Sequence, residues 1–232
     1  MKRPLIIVLT ILAMAGQVLA QGDPALKDNK EKISYSIGVE IGTTLKKQGI
    51  EVLPDVLTQG VRDALTGAKT LMTEGEIIET LTTFRKDFIA KKQELAKQLG
   101  EKNKKEEEAF LAENQKKEGV KTLSSGLQYR VIKPGSGKKP EADDLVTVHY
   151  RGTLIGGSEF DSSYGRGKPA SFPVNRVIPG WTEVLQLMEE GAKWEVFIPS
   201  KLAYGEQGAG NEIGPNATLI FEIELISIQN KP

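Results

Sequence analysis

Apolar side chains recur first at helical spacing and then at strand spacing along this chain, and the change falls near Ser124. Ile33, Ile37, Ile41 and Leu45 come every four residues, which draws one apolar stripe down a helix. Asp28 with Glu31 three residues on has the form of a capping box at its start, and Gln48-Gly49 ends it. A second helix starts at Pro54, a residue suited to a first turn because its missing N–H costs nothing there. Val56, Leu57, Val61 and Leu65 form its apolar face, and Gly67 stops it. Two helices this short cannot enclose a core, so their stripes need a covering surface. A second copy of the chain is the economical cover; the chain's own long helix is the alternative. Gly38 and Gly42 form a small-residue pair that would let two helices approach closely.

Thr73-x-x-Glu76 opens a third helix, and no proline interrupts the chain from there to about Gly119. Ile77, Leu81, Phe84, Phe88, Leu95 and Leu99 give its first half a heptad-like seam. Glu101 to Glu108 then holds only charged residues and one Asn, which predicts a solvated middle, with Phe110 and Leu111 docking the far end. Gly100 reads as a weak point in an exposed stretch, costing up to about 1 kcal/mol relative to Ala, so a bend is expected there.

After Ser124 the apolar positions alternate or form β-branched runs bounded by Gly and Pro: residues 127–133, 145–154, 195–198 and 218–228. Trp181 to Met188, entered through Pro179-Gly180, reads as a single short helix. Strands with one helix make an α+β domain. Gly135-Ser136-Gly137-Lys138 resembles part of a phosphate loop but lacks the full motif and a following helix, and so reads as a turn.

Composition narrows the chemistry. Lys and Arg number 31, as do Asp and Glu, so nothing argues for nucleic acid as a partner. The chain has no Cys and one His, His149, which removes thiol chemistry and leaves no metal-site spacing; no cofactor is expected. Lys2 and Arg3, the apolar run Leu5 to Ala15, and Val18-Leu19-Ala20 form a secretory signal with cleavage after Ala20. The run is too short and too broken for a membrane span, and no Cys follows to take a lipid.

Between Tyr150 and Phe221 lie three of the five Tyr, four of the seven Phe and both Trp, with no acid–base pair beside a nucleophile. An aromatic cluster of that kind points to an apolar pocket with a few polar groups. In register along it run VHYRGTL, EFDSS, GKPASF, VIPGW, IPSKLAYG and GPNATLIFEIEL. On these motifs the segment from about Gly126 resembles the FK506-binding-protein (FKBP) class of peptidyl-prolyl cis/trans isomerases. With SYSIGVEIGTTLKKQGIEV and LTQGVRDALTG, the whole chain looks like the bacterial macrophage-infectivity-potentiator (Mip) type.

The resemblance implies a signal peptide (1–20), a helical dimerisation module (21–72), a long connecting helix (73–119) acting as a spacer, and an isomerase domain (120–232) with an antiparallel sheet curled around one short helix. It implies a homodimer through residues 24–90, export to the periplasm with an outer-membrane or surface association open, and proline-containing exported proteins as clients. By the same resemblance the proline ring rests on Trp181. Tyr150, Phe160, Val177, Ile178 and Phe221 form the walls, and Ile213 also contacts substrate. The Tyr204 hydroxyl and the Ile178 N–H bond substrate carbonyls, and Asp161, held by Arg166, sits at the rim. His149 adjoins Tyr150 on a strand and so faces away from the pocket. Macrolides of the FK506 and rapamycin type are the implied inhibitors. Ala170, Ala209, Glu212 and a shortened loop from Phe172 to Val177 depart from the small family members, and bear on macrolide affinity and on the residue preferred before proline. The rival reading is a holdase chaperone in which isomerisation is incidental.

Overall fold

The computed structural model describes residues 26–229, so the signal segment lies outside the described residues. The chain divides into two units between Thr73 and Glu74.

Among the described residues the first unit contains two helices. Helix α1 spans Asn29–Gln48, with the Asp28 carboxylate accepting from the Glu31 N–H at 2.8 Å and Gly49 ending it at φ 69°. Helix α2 spans Pro54–Thr66, ended by Gly67 at φ 65°. Both boundaries follow the capping and stop residues. Neither helix contains a buried residue, and Ile33 and Ile37 are each 52% exposed, so the stripes exist and lie open.

The second unit begins with helix α3, Glu74–Asn114. Seven strands follow: β1 (Val120–Thr122), β2 (Gln128–Lys133), β3 (Leu145–Leu154), β4 (Glu159–Ser162), β5 (Ala170–Pro173), β6 (Lys193–Ile198) and β7 (Leu219–Gln229). They form one antiparallel sheet in the order β1-β2-β6-β7-β3-β4. β3 pairs along its length with β7; its other edge is shared, Leu145–Val148 taking β5 and Arg151–Thr153 taking β4. Helix α4, Pro179–Leu185, buries Gly180, Trp181, Val184 and Leu185 in the core with alternate residues of β3, β6 and β7. A Cβ on Gly180 would lie 2.5 Å from Ile198, so glycine lets the helix settle on β6.

The structure corrects several expectations. The short helix begins two residues earlier than Trp181 and ends at Leu185, since Pro179 and Gly180 are its first turn. Strands β1, β4 and β5 are additional. Helix α3 stops at Asn114 rather than near Gly119, because Gln128 Nε2 satisfies the Leu111 carbonyl at 2.9 Å and the buried Asn114 donates to Gln128 Oε1 at 3.0 Å. The chain then turns through Gly119 into β1.

The far half of α3 is also more engaged than its charges foretell. Gly100 is buried against Pro215 and Asn216, where a Cβ would sit 3.2 Å from Pro215. It is a contact point and not an exposed weak spot. Inside the charged run, Asn103 Nδ2 donates to the Pro215 carbonyl at 2.8 Å, and Glu107 accepts from the Ser200 N–H at 2.6 Å and the Thr218 hydroxyl at 2.8 Å. Phe110 meets Phe197 with ring centres 5.8 Å apart.

Candidate active site

β3 carries the centre of the site. Its burial alternates, with Val146, Val148, Tyr150 and Gly152 inward, and His149 on the other face, Nδ1 3.0 Å from Ser163 Oγ and the ring stacked on Tyr164. At the end of β3 that pairs with β4, the inward side opens into a cavity of about 440 Å³. It is lined by Tyr150, Phe160, Asp161, Phe172, Arg176, Val177, Ile178, Trp181, Tyr204 and Phe221.

Trp181, from the first turn of α4, is 4% exposed and forms the base. Tyr150, Phe172 and Phe221 stand edge-to-face around it, with centroids 5.2, 5.8 and 5.2 Å away and interplanar angles of 88°, 86° and 81°. Phe160 meets Phe221 at 5.5 Å and 89°. Perpendicular packing sets positive ring edges against negative faces and holds the walls at fixed angles. Gly152 makes this possible: a Cβ there would lie 2.6 Å from Phe160 and 2.7 Å from Phe221. The Trp181 indole N–H is buried with no hydrogen-bond partner among the described residues.

One polar cluster borders the cavity. The Tyr150 hydroxyl donates to Asp161 Oδ2 at 2.5 Å, Arg166 Nη2 donates to the same hydroxyl at 2.7 Å, and Arg166 Nη1 pairs with Asp161 Oδ1. Partial burial alone would raise the Asp161 carboxyl, but the hydrogen bonds from Tyr150 and Arg166 and the Arg166 charge outweigh it and hold the group below the ordinary carboxylate value. Burial, with the bond to Asp161, pushes the Tyr150 phenol up. Asp161 is therefore a fixed anion and Tyr150 a fixed donor across the neutral range.

Two uncharged polar groups at the mouth are unspent. Tyr204, 42% exposed, has a hydroxyl with no partner among the described residues. Ile178 caps α4, its carbonyl accepting from the N–H groups of Trp181 and Thr182, while its own N–H has no partner among the described residues.

Of the residues singled out from the sequence, Tyr150, Phe160, Asp161, Val177, Ile178, Trp181, Tyr204 and Phe221 thus converge on one cavity. Arg166 stands behind it, reaching in only through Asp161 and Tyr150. Ile213 does not line it: it is 7% exposed and belongs to the core, its backbone paired with Ala209. Phe172, Arg176 and Gly152 join the site without having been foreseen. Gly152 was within reach, since i and i+2 on a strand share a face with Tyr150. Phe172 pairs with Val146 across β5, and no local pattern announces that short strand.

Comparison with known proteins agrees with this geometry. Residues 136–226 match the FKBP-type peptidyl-prolyl cis-trans isomerase family, and residues 30–131 match the domain amino-terminal to FKBP-type isomerases. The chain is 49% identical to the outer membrane protein MIP of Legionella longbeachae over 218 residues, 94% of each chain. It is 46% identical to the peptidyl-prolyl cis-trans isomerase Mip of Coxiella burnetii over 231 residues, the full length of both. The crystal structure of FkpA from Escherichia coli, 38% identical, superposes with a TM-score of 0.67 over 90% of this chain and all of that one.

Proposed function

The chain belongs to the FKBP-type peptidyl-prolyl cis-trans isomerases, in their Mip-like branch, and from that membership we propose that the aromatic cavity above Trp181 is where it turns the Xaa-Pro bonds of exported proteins. The family's substrates are proline-containing proteins. The observation that carries the assignment is the enclosure of Trp181 by three perpendicular aromatic rings, with polar groups only at the border.

Such a site suits the reaction. The barrier is rotation about a partly double C–N bond, about 18–20 kcal/mol, and an uncatalysed Xaa-Pro bond takes tens to hundreds of seconds. Twisting removes resonance and reduces the polarity of the carbonyl. A cavity that strips water from the imide therefore penalises the planar ground state more than the twisted one, which is differential stabilisation without a covalent step. In our reading the proline ring sits on Trp181 between Tyr150, Phe160, Val177 and Phe221. The Ile178 N–H and the Tyr204 hydroxyl take client carbonyls. Asp161, oriented by Arg166 and Tyr150, faces the turning carbonyl.

We propose that the chain is exported, as the name of the Legionella outer membrane protein MIP supports, with the periplasm as its working compartment. The open apolar residues of α1 and α2 favour a homodimer through residues 24–90. They also favour the second reading, a holdase that captures unfolded clients. Substituting Tyr204 or Asp161 separates the two: an isomerase loses rate on peptides while suppression of client aggregation persists, whereas a holdase with incidental activity shows no loss of client folding yield.

A further inference from the structure

The lining of the cavity includes two charged residues, Asp161 and Arg176. Asp161 is neutralised by its ion pair with Arg166. Arg176 has no acidic partner: its side chain enters no hydrogen bond or ion pair among the described residues. The mouth of an otherwise aromatic cavity thus carries one uncompensated positive charge.

That charge is presented from a fixed base. Arg176 closes the 3₁₀ turn Val174–Arg176, immediately before the wall residues Val177 and Ile178. Val174 is fully buried; its N–H donates to the Asp144 carbonyl at 3.0 Å, and its carbonyl accepts from the Thr182 hydroxyl at 2.7 Å. Through Val174 the turn is tied both to Asp144, just before β3, and to Thr182 of α4. The guanidinium itself is exposed, able to sweep over the chain next to a seated proline without entering the apolar floor.

We propose that Arg176 is a specificity-determining residue, selecting client segments that carry an acidic side chain within two residues of the proline and disfavouring basic ones. The inference rests on the cavity above Trp181 being the substrate site. A guanidinium pairs with a carboxylate through two parallel hydrogen bonds, and at a solvated rim such a pair gives a preference of a few-fold and no more. Long-range attraction adds to the encounter rate at low salt.

The test is a peptide series with Glu, Gln or Lys at each of the two positions on either side of the proline, read as kcat/KM for cis-to-trans isomerisation. The wild-type full chain is expected to favour Glu over Gln by about three-fold at the best position and Gln over Lys by a similar factor, both differences fading in about 1 M salt. Arg176→Gln should flatten the order and Arg176→Glu should invert it. Because each comparison is a ratio within one protein, a general loss of activity in a variant does not disturb it. Indifference of the wild type to charge, or an order that survives Arg176→Glu, overturns the proposal while leaving the isomerase site intact. No acceleration of the Gln peptides by the wild type would instead overturn the site assignment beneath it.

Discussion

The carboxylate of Glu107, on the long helix, accepts a hydrogen bond from the backbone N–H of Ser200 at 2.6 Å. Its Oε2 also takes the Thr218 hydroxyl at 2.8 Å. Ser200 begins the turn that leads to Tyr204, and Thr218 precedes the strand that carries Phe221. One helix residue therefore ties together two segments that contribute to the cavity. Replacing Glu107 with Ala leaves a buried N–H and hydroxyl without a partner, at a cost of about 2–3 kcal/mol. Thermal unfolding should show that loss, and peptide isomerisation should weaken with it; an unchanged melting temperature would remove Glu107 from this role.

Gly152→Ala tests whether the walls are as tightly set as their angles indicate. The added methyl meets the rings of Phe160 and Phe221 at less than 3 Å. Overpacking of this kind costs about 1–3 kcal/mol and moves the rings. We expect a folded protein with a several-fold lower kcat/KM on a short Xaa-Pro peptide. An alanine variant as active as the wild type would show that the aromatic walls yield freely.

The acid limit of activity follows from Asp161. Its carboxyl is held below the ordinary value of about 3.9, so the stabilising charge is present above that pH and is lost only as pH falls through the still lower folded value. Tyr150 is shifted upward and stays protonated well into the alkaline range. The pH–rate profile should be flat from about pH 5 to 9. A titration with a midpoint between 5 and 8 would mean that another group governs the reaction.

Truncation should discriminate sharply along α3. A chain beginning near residue 95 keeps Gly100, Asn103, Glu107 and Phe110, each in contact with the sheet domain. It should melt as the full chain's isomerase domain does and turn peptides at the full rate. A chain beginning at residue 121 lacks all four and should melt about 10 °C lower or more. Equal stability of the two would contradict the docking of α3.

These contacts also mark where the sequence stops being readable. Helices α1 and α2 and strands β3 and β7 are legible because apolar spacing, capping residues and stop glycines act within a few positions of one another. Glu107 is different: its partners lie 93 and 111 residues away, and a carboxylate amid lysines and glutamates carries no local sign of them. Gly100 misleads for the same reason, its neighbours being Pro215 and Asn216. Strand β4, Glu159–Ser162, has no apolar alternation of its own and exists because the end of β3 offers an edge. The aromatic cavity could be anticipated from motifs in register, whereas Arg176 could not, since its significance lies in having no partner.

The most direct test of the account is the rate of cis-to-trans isomerisation of a short Xaa-Pro peptide by the wild-type chain and by Asp161→Leu, both shown to be folded. The cavity above Trp181 predicts marked acceleration by the wild type and a loss of about ten-fold or more in the variant, which strips Tyr150 and Arg166 of their shared acceptor. Acceleration of equal size in both proteins would place the reaction elsewhere on the molecule.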